Sequence, residues 1–186
     1  MIELPEFGKV LSLLGFKDVH IPSIDAFLAQ LRRVAPVPLQ VFDASVIAGP
    51  RHLLFATVNA LTAFEHGPRI SENLAVELLL YASGQRQIRK AIERIGVKAT
   101  TSAIAVAVLT ATPDEAATLE ATVTQAIPGV RDDRVLEQQP GKVDRVITAF
   151  AVTDRELEAV ADDADTPWDA LVKIVIERSA LLAIDR

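Results

Sequence analysis

At 186 residues, half of them apolar, the chain is long enough for one domain with a sizeable core, and its 5% aromatic content means that core must be built from Ala, Val, Leu and Ile. The absence of cysteine excludes disulfides, thiol nucleophiles and thiolate metal sites. The net charge of −6 is unevenly spread: residues 50–100 carry 7 basic and 4 acidic groups, whereas residues 101–186 carry 8 basic and 16 acidic, so the basic middle is a candidate contact for an anion as well as a plausible solvated surface.

Glu3 and Glu6 precede any apolar run, which is wrong for a signal peptide. Residues 9–14 and 17–21 flank Gly15 and are expected to form two short strands. Ser23 is placed to cap a helix reaching about Val34, which Pro36 and Pro38 end. Leu39, Val41 and Phe42 read as a strand with Pro38 at its start, where a missing N–H is tolerated. Gly49-Pro50 opens a long helix in which Leu54, Val58 and Leu61 recur at helical spacing through Glu65; His66-Gly67-Pro68 stops it. Ser71 is expected to cap a helix over residues 72–82. Ser83-Gly84 breaks that helix, and another is expected from about Gln85 to Gly96. Residues 103–111 have small or branched apolar residues on both faces and read as a central strand. They sit in the longest apolar run, residues 102–112, which is about half the roughly 20 residues a membrane span needs. Thr112-Pro113-Asp114-Glu115 is a capping box opening a helix to about Gln125. Residues 128–142 read as a short helix or a loop, and residues 143–152 as a further strand. Thr153 with Glu156 forms a second capping box. Thr166 with Asp169 repeats that logic and opens a final helix to about Ala183.

These elements predict an α+β fold, a small mixed or antiparallel sheet of about four strands packed with six or seven helices, in a single domain over residues 1–186. Neither an internal repeat nor a Gly/Ser linker divides the chain, and a soluble cytoplasmic protein is expected.

Catalytic patterns are missing. There is no phosphate-binding Gly-Lys loop, dinucleotide turn or nucleophile elbow. His20, His52 and His66 are scattered, with no pair at i, i+4 to bind a metal. The cluster Asp162, Asp163 and Asp165 lacks the glycine and distal glutamate of a calcium loop and reads as a solvated loop. The expectation is therefore no enzyme, no cofactor and no metal.

The most informative segment runs from Ser83 through Gly84, Gln85, Arg86 and Gln87 to Gly96. On a helix at about 100° per residue, Ile88, Ala91, Ile92 and Ile95 share one face, expected to be buried, while Arg86, Lys90 and Arg94 stack along the opposite face. Arg89 and Glu93 lie beside them and can pair. A phosphate could sit near Gly84 at the helix start, and Lys98 extends the positive field. Glu77, in an apolar run, is costly if buried without a partner; it faces water or pairs with a basic group such as an arginine of the following helix. Asn59 reads as a buried amide holding a neighbouring loop. His52 reads as a surface histidine that could add to an anion site.

Phe42-Asp43-Ala44, Ile47-Ala48-Gly49, His52-Leu53-Leu54-Phe55-Ala56, Asn59-Ala60-Leu61, Ala63-Phe64 and Glu77 to Tyr81 stand in a distinctive order. With Ser83 to Ile88, Ala91-Ile92, Gly96 and the ending Glu177 to Leu182, they resemble the kinase-binding regulatory subunit of the KEOPS tRNA-modification complex (the TPRKB family, archaeal type). Residues 1–35 and 113–165 diverge. The resemblance implies a non-catalytic subunit of a heteromeric complex. Such a subunit binds the amino-terminal lobe of the complex's atypical kinase/ATPase, recognises the 3′ single-stranded end of tRNA and supports threonylcarbamoyladenosine formation. It carries RNA contact onto Ser83, Gly84, Gln85, Arg86, Gln87, Arg89, Lys90 and Arg94. Cations would neutralise phosphates and make binding salt-dependent, while amide and backbone groups would read the flexible end. A pure protein–protein adaptor, with the basic helix meeting a partner's acidic patch, is the alternative. A small-molecule enzyme is the third reading, disfavoured by the lack of acid, base or nucleophile.

Overall fold

The computed structural model describes residues 1–161 and 166–184; the cluster Asp162, Asp163 and Asp165 lies outside them. The fold is α+β, and the chain divides into two compact units, Met1–Ala44 with Gly96–Val135 and Ser45–Ile95 with Leu136–Arg186.

The first unit is built on an antiparallel sheet ordered β1(Ile2–Leu4), β2(Lys9–Lys17), β4(Ile104–Thr110), β3(Leu39–Asp43), with the short β5(Val130–Arg131) also on β2. β4 is central, as its composition implies, and every one of its residues is buried. Its branched residues Ile104, Val106 and Val108 join Leu14, Phe16 and Val41 in a core closed by α1(Ile24–Val34) and α5(Pro113–Ala126) through Phe27, Leu31 and Val123. The helix starts follow local chemistry: Ser23 accepts from the Ala26 amide and Thr112 from the Glu115 amide. The Glu115 carboxylate reaches back to the amide of Ala111, one residue before the position a capping box requires.

Gly15 does not separate two strands; β2 runs through it. Its amide donates to the Asp133 carboxylate at 2.7 Å, and a Cβ there would lie 2.7 Å from the Asp132 carbonyl oxygen. The glycine therefore serves close backbone approach within a strand rather than a break. The segment it admits holds β5 and a turn of 3-10 helix at Asp133–Leu136, in the region expected to be a short helix or a loop.

The second unit is helical: α2(Gly49–His66), α3(Leu74–Ser83), α4(Ile88–Ile95), α6(Lys142–Phe150), α7(Asp154–Val160) and α8(Pro167–Leu181). α2 packs on α3 and α8, α3 on α4, and α7 on α8. Both later capping boxes form, Thr153 with Glu156 and Thr166 with Asp169. The stretch expected to be a strand over residues 143–152 is instead α6. Lys142, Val146 and Phe150 are buried at helical spacing, and left-handed residues, Gly141 (φ 70°) and Ala151 (φ 50°), bracket the helix. Asp144 and Arg145 already break the alternation a strand requires.

The described residues thus hold eight α-helices and five strands, more of each than composition and period suggested. No helix among them is long and apolar enough to cross a membrane.

Candidate partner and nucleic-acid interface

The segment from Ser83 to Arg94 is positioned by α3. Asn73, not Ser71, caps that helix, accepting from the Ala75 and Val76 amides. Ser71 is drawn off by Glu77, whose fully buried carboxylate accepts from the Ile70 amide at 3.0 and 3.1 Å and from the Ser71 amide at 2.7 Å. Glu77 thus pairs with backbone amides of the preceding turn rather than with an arginine of the following helix. Burial of the Tyr81 phenol, and then the Glu77 charge, push its pKa up, with Arg86 opposing.

α3 ends at Gly84, which takes the left-handed conformation (φ 59°, ψ 36°) that favours glycine. Its amide donates to the Tyr81 carbonyl, and the Gln85 amide to that of Leu80, each at 3.1 Å. This closure uses the residues expected to begin the next helix, so α4 starts only at Ile88. Arg86 and Gln87 lie in a bend before it, and the predicted Arg86–Lys90–Arg94 ridge does not form.

α4 is also rolled relative to expectation. Ala91 and Ile95 are buried, whereas Ile88 and Ile92 are 48% and 49% exposed. Ile92 lies about 60° beyond Ile95 around the helix, and Arg94 about 60° beyond Ala91 on the other side. Turning one inward leaves the other outside, and the structure takes in Arg94. Its Nη1 donates to the Ser83 carbonyl at 2.8 Å, and its guanidinium stands 5.4 Å over the Phe150 ring. Burial, and then the neighbouring Arg178, lower the Arg94 pKa.

The predicted site residues therefore divide. Gln87, Arg89 and Lys90 are exposed, Arg89 beside Glu93 at 3.7 Å. Arg86 is exposed while donating to the Leu182 carbonyl at 3.2 Å. Gly84 and Gln85 are half-buried. Ser83 is buried, its hydroxyl donating to the Leu80 carbonyl. Beside Arg86 lies a cavity of about 120 Å³ lined by Pro68, Ile70, Tyr81, Arg86, Leu182 and Ala183. That is well short of the roughly 300 Å³ at which small-molecule sites begin, so it suits a shallow contact rather than an enclosed substrate.

His52 is not at the surface. It is fully buried, with Nδ1 accepting from the Ala48 amide at 3.2 Å and Nε2 2.7 Å from the Ala82 carbonyl. Burial lowers its pKa to about 4, and Lys142 adds to that against the opposing Ala82 bond. The Phe150 ring meets it edge-on at 5.6 Å. The signal was present in the sequence: His52, Ala56, Ala60 and Ala63 form one helical stripe, and all are buried. Asn59 reaches Ser179 of α8 at 3.4 Å, a helix rather than a loop. Lys142, which sequence reasoning did not single out, is buried with Nζ donating to the Leu136 and Glu137 carbonyls, 5.7 Å over the Trp168 ring. Among the described residues no three histidine or carboxylate groups are gathered to hold a metal ion.

The family model described as kinase binding protein CGI-121 matches residues 16–182. No curated protein matches the chain.

Proposed function

The chain belongs to this kinase-binding family, and from that premise we propose that it is a non-catalytic subunit of a KEOPS complex of the archaeal type. It docks on the complex's atypical kinase/ATPase and holds tRNA by its 3′ single-stranded end, supporting threonylcarbamoyladenosine formation in the cytoplasm. The observation that carries this reading is the surface of α4 and the bend before it. Ile88 and Ile92 lie open side by side, flanked by Arg86, Arg89 and Lys90. Two half-exposed isoleucines one turn apart gain by burial against a protein partner. The cations around them suit phosphates, and the cavity beside Arg86 and Tyr81 is open to an unstacked base.

Two assays test the halves separately. Ile88→Asp with Ile92→Asp should abolish capture of the kinase subunit, and retained capture by the folded double variant would refute that docking face. Wild-type protein should shift intact tRNA more strongly than tRNA trimmed at its 3′ end. Arg89→Glu with Lys90→Glu should weaken that shift and flatten its salt dependence. Arg94 is left out because its charge is engaged within the fold. Capture of the kinase with no tRNA binding at low salt would favour the pure adaptor. The inward turn of Arg94 and the Arg86 bond to Leu182 lean toward that second reading.

A further inference from the structure

We propose that His52 and Arg94 are positioning residues, not RNA ligands: they hold the last two carbonyls of α3, so that residues 84–87 leave the helix in one direction and present Arg86, Arg89 and Lys90. The presenting role rests on the RNA half of the functional reading.

A helix end leaves four carbonyls without partners inside the helix. In α3 these belong to Leu80, Tyr81, Ala82 and Ser83. The first two are met locally by the Gln85 and Gly84 amides, as at any glycine-ended helix. The last two are met from elsewhere. Ala82 accepts from His52 of α2, 30 positions away, at 2.7 Å, and Ser83 from Arg94 of α4, 11 positions away, at 2.8 Å. The tautomer is set by the structure. Nδ1 of His52 accepts the Ala48 amide, so the ring proton sits on Nε2 and points at Ala82. Phe150 of α6 braces both donors, edge-on to the imidazole and beneath the guanidinium. The Arg94 charge sits at the negative pole of α3, where a cation is favoured. To reach a phosphate it would have to abandon the Ser83 carbonyl and the Phe150 ring together.

The test combines amide hydrogen exchange with tRNA affinity measured across a salt series on the full chain. The variants are His52→Phe, Arg94→Met, Arg94→Lys and, as a comparison, Lys90→Met. In His52→Phe and Arg94→Met, exchange at the Gly84 and Gln85 amides should rise about tenfold or more while amides in the middle of α8 keep their protection. Affinity for tRNA should fall, yet the slope of log K against log salt should match the wild type. Arg94→Lys, which keeps one donor and the charge, should restore both readouts. Lys90→Met should reduce the slope by about 0.7, the loss of one phosphate contact on a single strand. A slope loss of that size in Arg94→Met would make Arg94 a ligand and overturn the proposal, as would unchanged exchange in a folded variant. If His52→Phe does not fold, the Arg94 pair decides. Failure of the wild-type protein to bind tRNA would remove the RNA half of the functional reading and the presenting role with it. The exchange rates would still show separately whether the two side chains clamp α3.

Discussion

Two buried titratable side chains show how single residues organise the helical unit. The Glu77 carboxylate is stabilised by amides, with both oxygens taken up by the Ile70 and Ser71 N–H groups. Glu77→Gln would set an NH2 group against one of those donors while keeping the volume. Leaving a buried donor unpaired costs on the order of 2 kcal/mol, so the urea midpoint should fall with the slope of the transition unchanged. His52 carries the opposite linkage to a charged partner: the folded chain resists its protonation. Its pKa near 4 in the fold lies below the ordinary value of about 6.5. Between those values the unfolded chain binds the extra proton, so stability is fully present above about pH 6.5 and is lost as pH falls toward 4. The difference corresponds to roughly 3 kcal/mol at most. Urea unfolding at neutral and mildly acid pH should show this decline, and the decline should shrink in a His52→Gln variant. An equal pH dependence in that variant would mean that other groups dominate. The stripe of His52 with Ala56, Ala60 and Ala63 marks the imidazole as buried, but neither set of bonding partners could be read along the chain, because the Glu77 donors come from a turn and the His52 partners from the start of one helix and the end of another.

At the scale of elements, what was legible was what is local. The caps Ser23, Thr153 and Thr166 lie where their side chains and following residues place them, since a cap bonds within three residues. α2 and β4 follow from period and composition. α6 was misread because Val143, Val146, Ile147 and Thr148 are β-branched, a weak preference that packing on α8 overrides. α4 was recognised as a helix near its true place, but its roll was not. The roll depends on Phe150, more than fifty residues later in the chain, offering a ring to Arg94. So the exposed cations Arg89 and Lys90 were found and the exposed isoleucines beside them were not. The end of α6 gives its own prediction. Ala151 closes the helix at φ 50°, with the Val152 amide reaching the Ile147 carbonyl at 3.0 Å. An L-residue pays about 1 kcal/mol for that left-handed conformation, and glycine does not. Ala151→Gly should therefore raise the thermal midpoint by a few degrees. A lowered midpoint would show that the Ala151 methyl contributes more than the strain it suffers.

Across the whole molecule, the order of segments matters more than their types. The chain passes from one compact unit to the other after Ala44, after Ile95 and after Val135, so neither unit is a continuous stretch. β2 and β3 do not pair with each other; both pair with β4, and Val10 meets Thr110, 100 positions later. Closing so long a loop costs entropy before any strand contact repays it. β1 finds β2 close by, but β2 and β3 are joined only through residues 104–110, and α2, α3 and α4, though packed on one another, still lack the cover of α6 and α8. A fragment of residues 1–95 contains seemingly complete elements, including Arg86, Arg89 and Lys90, yet lacks the central strand of one unit, half the helices of the other and the Leu182 carbonyl that Arg86 meets. It should give a poorly dispersed amide NMR spectrum and no cooperative thermal transition. Adding residues 96–186 should restore both, because the missing β4, α6 and α8 then arrive in trans. A well-dispersed spectrum from residues 1–95 alone would mean that β2 and β3 find another arrangement without β4, and that the sheet is not organised around its central strand.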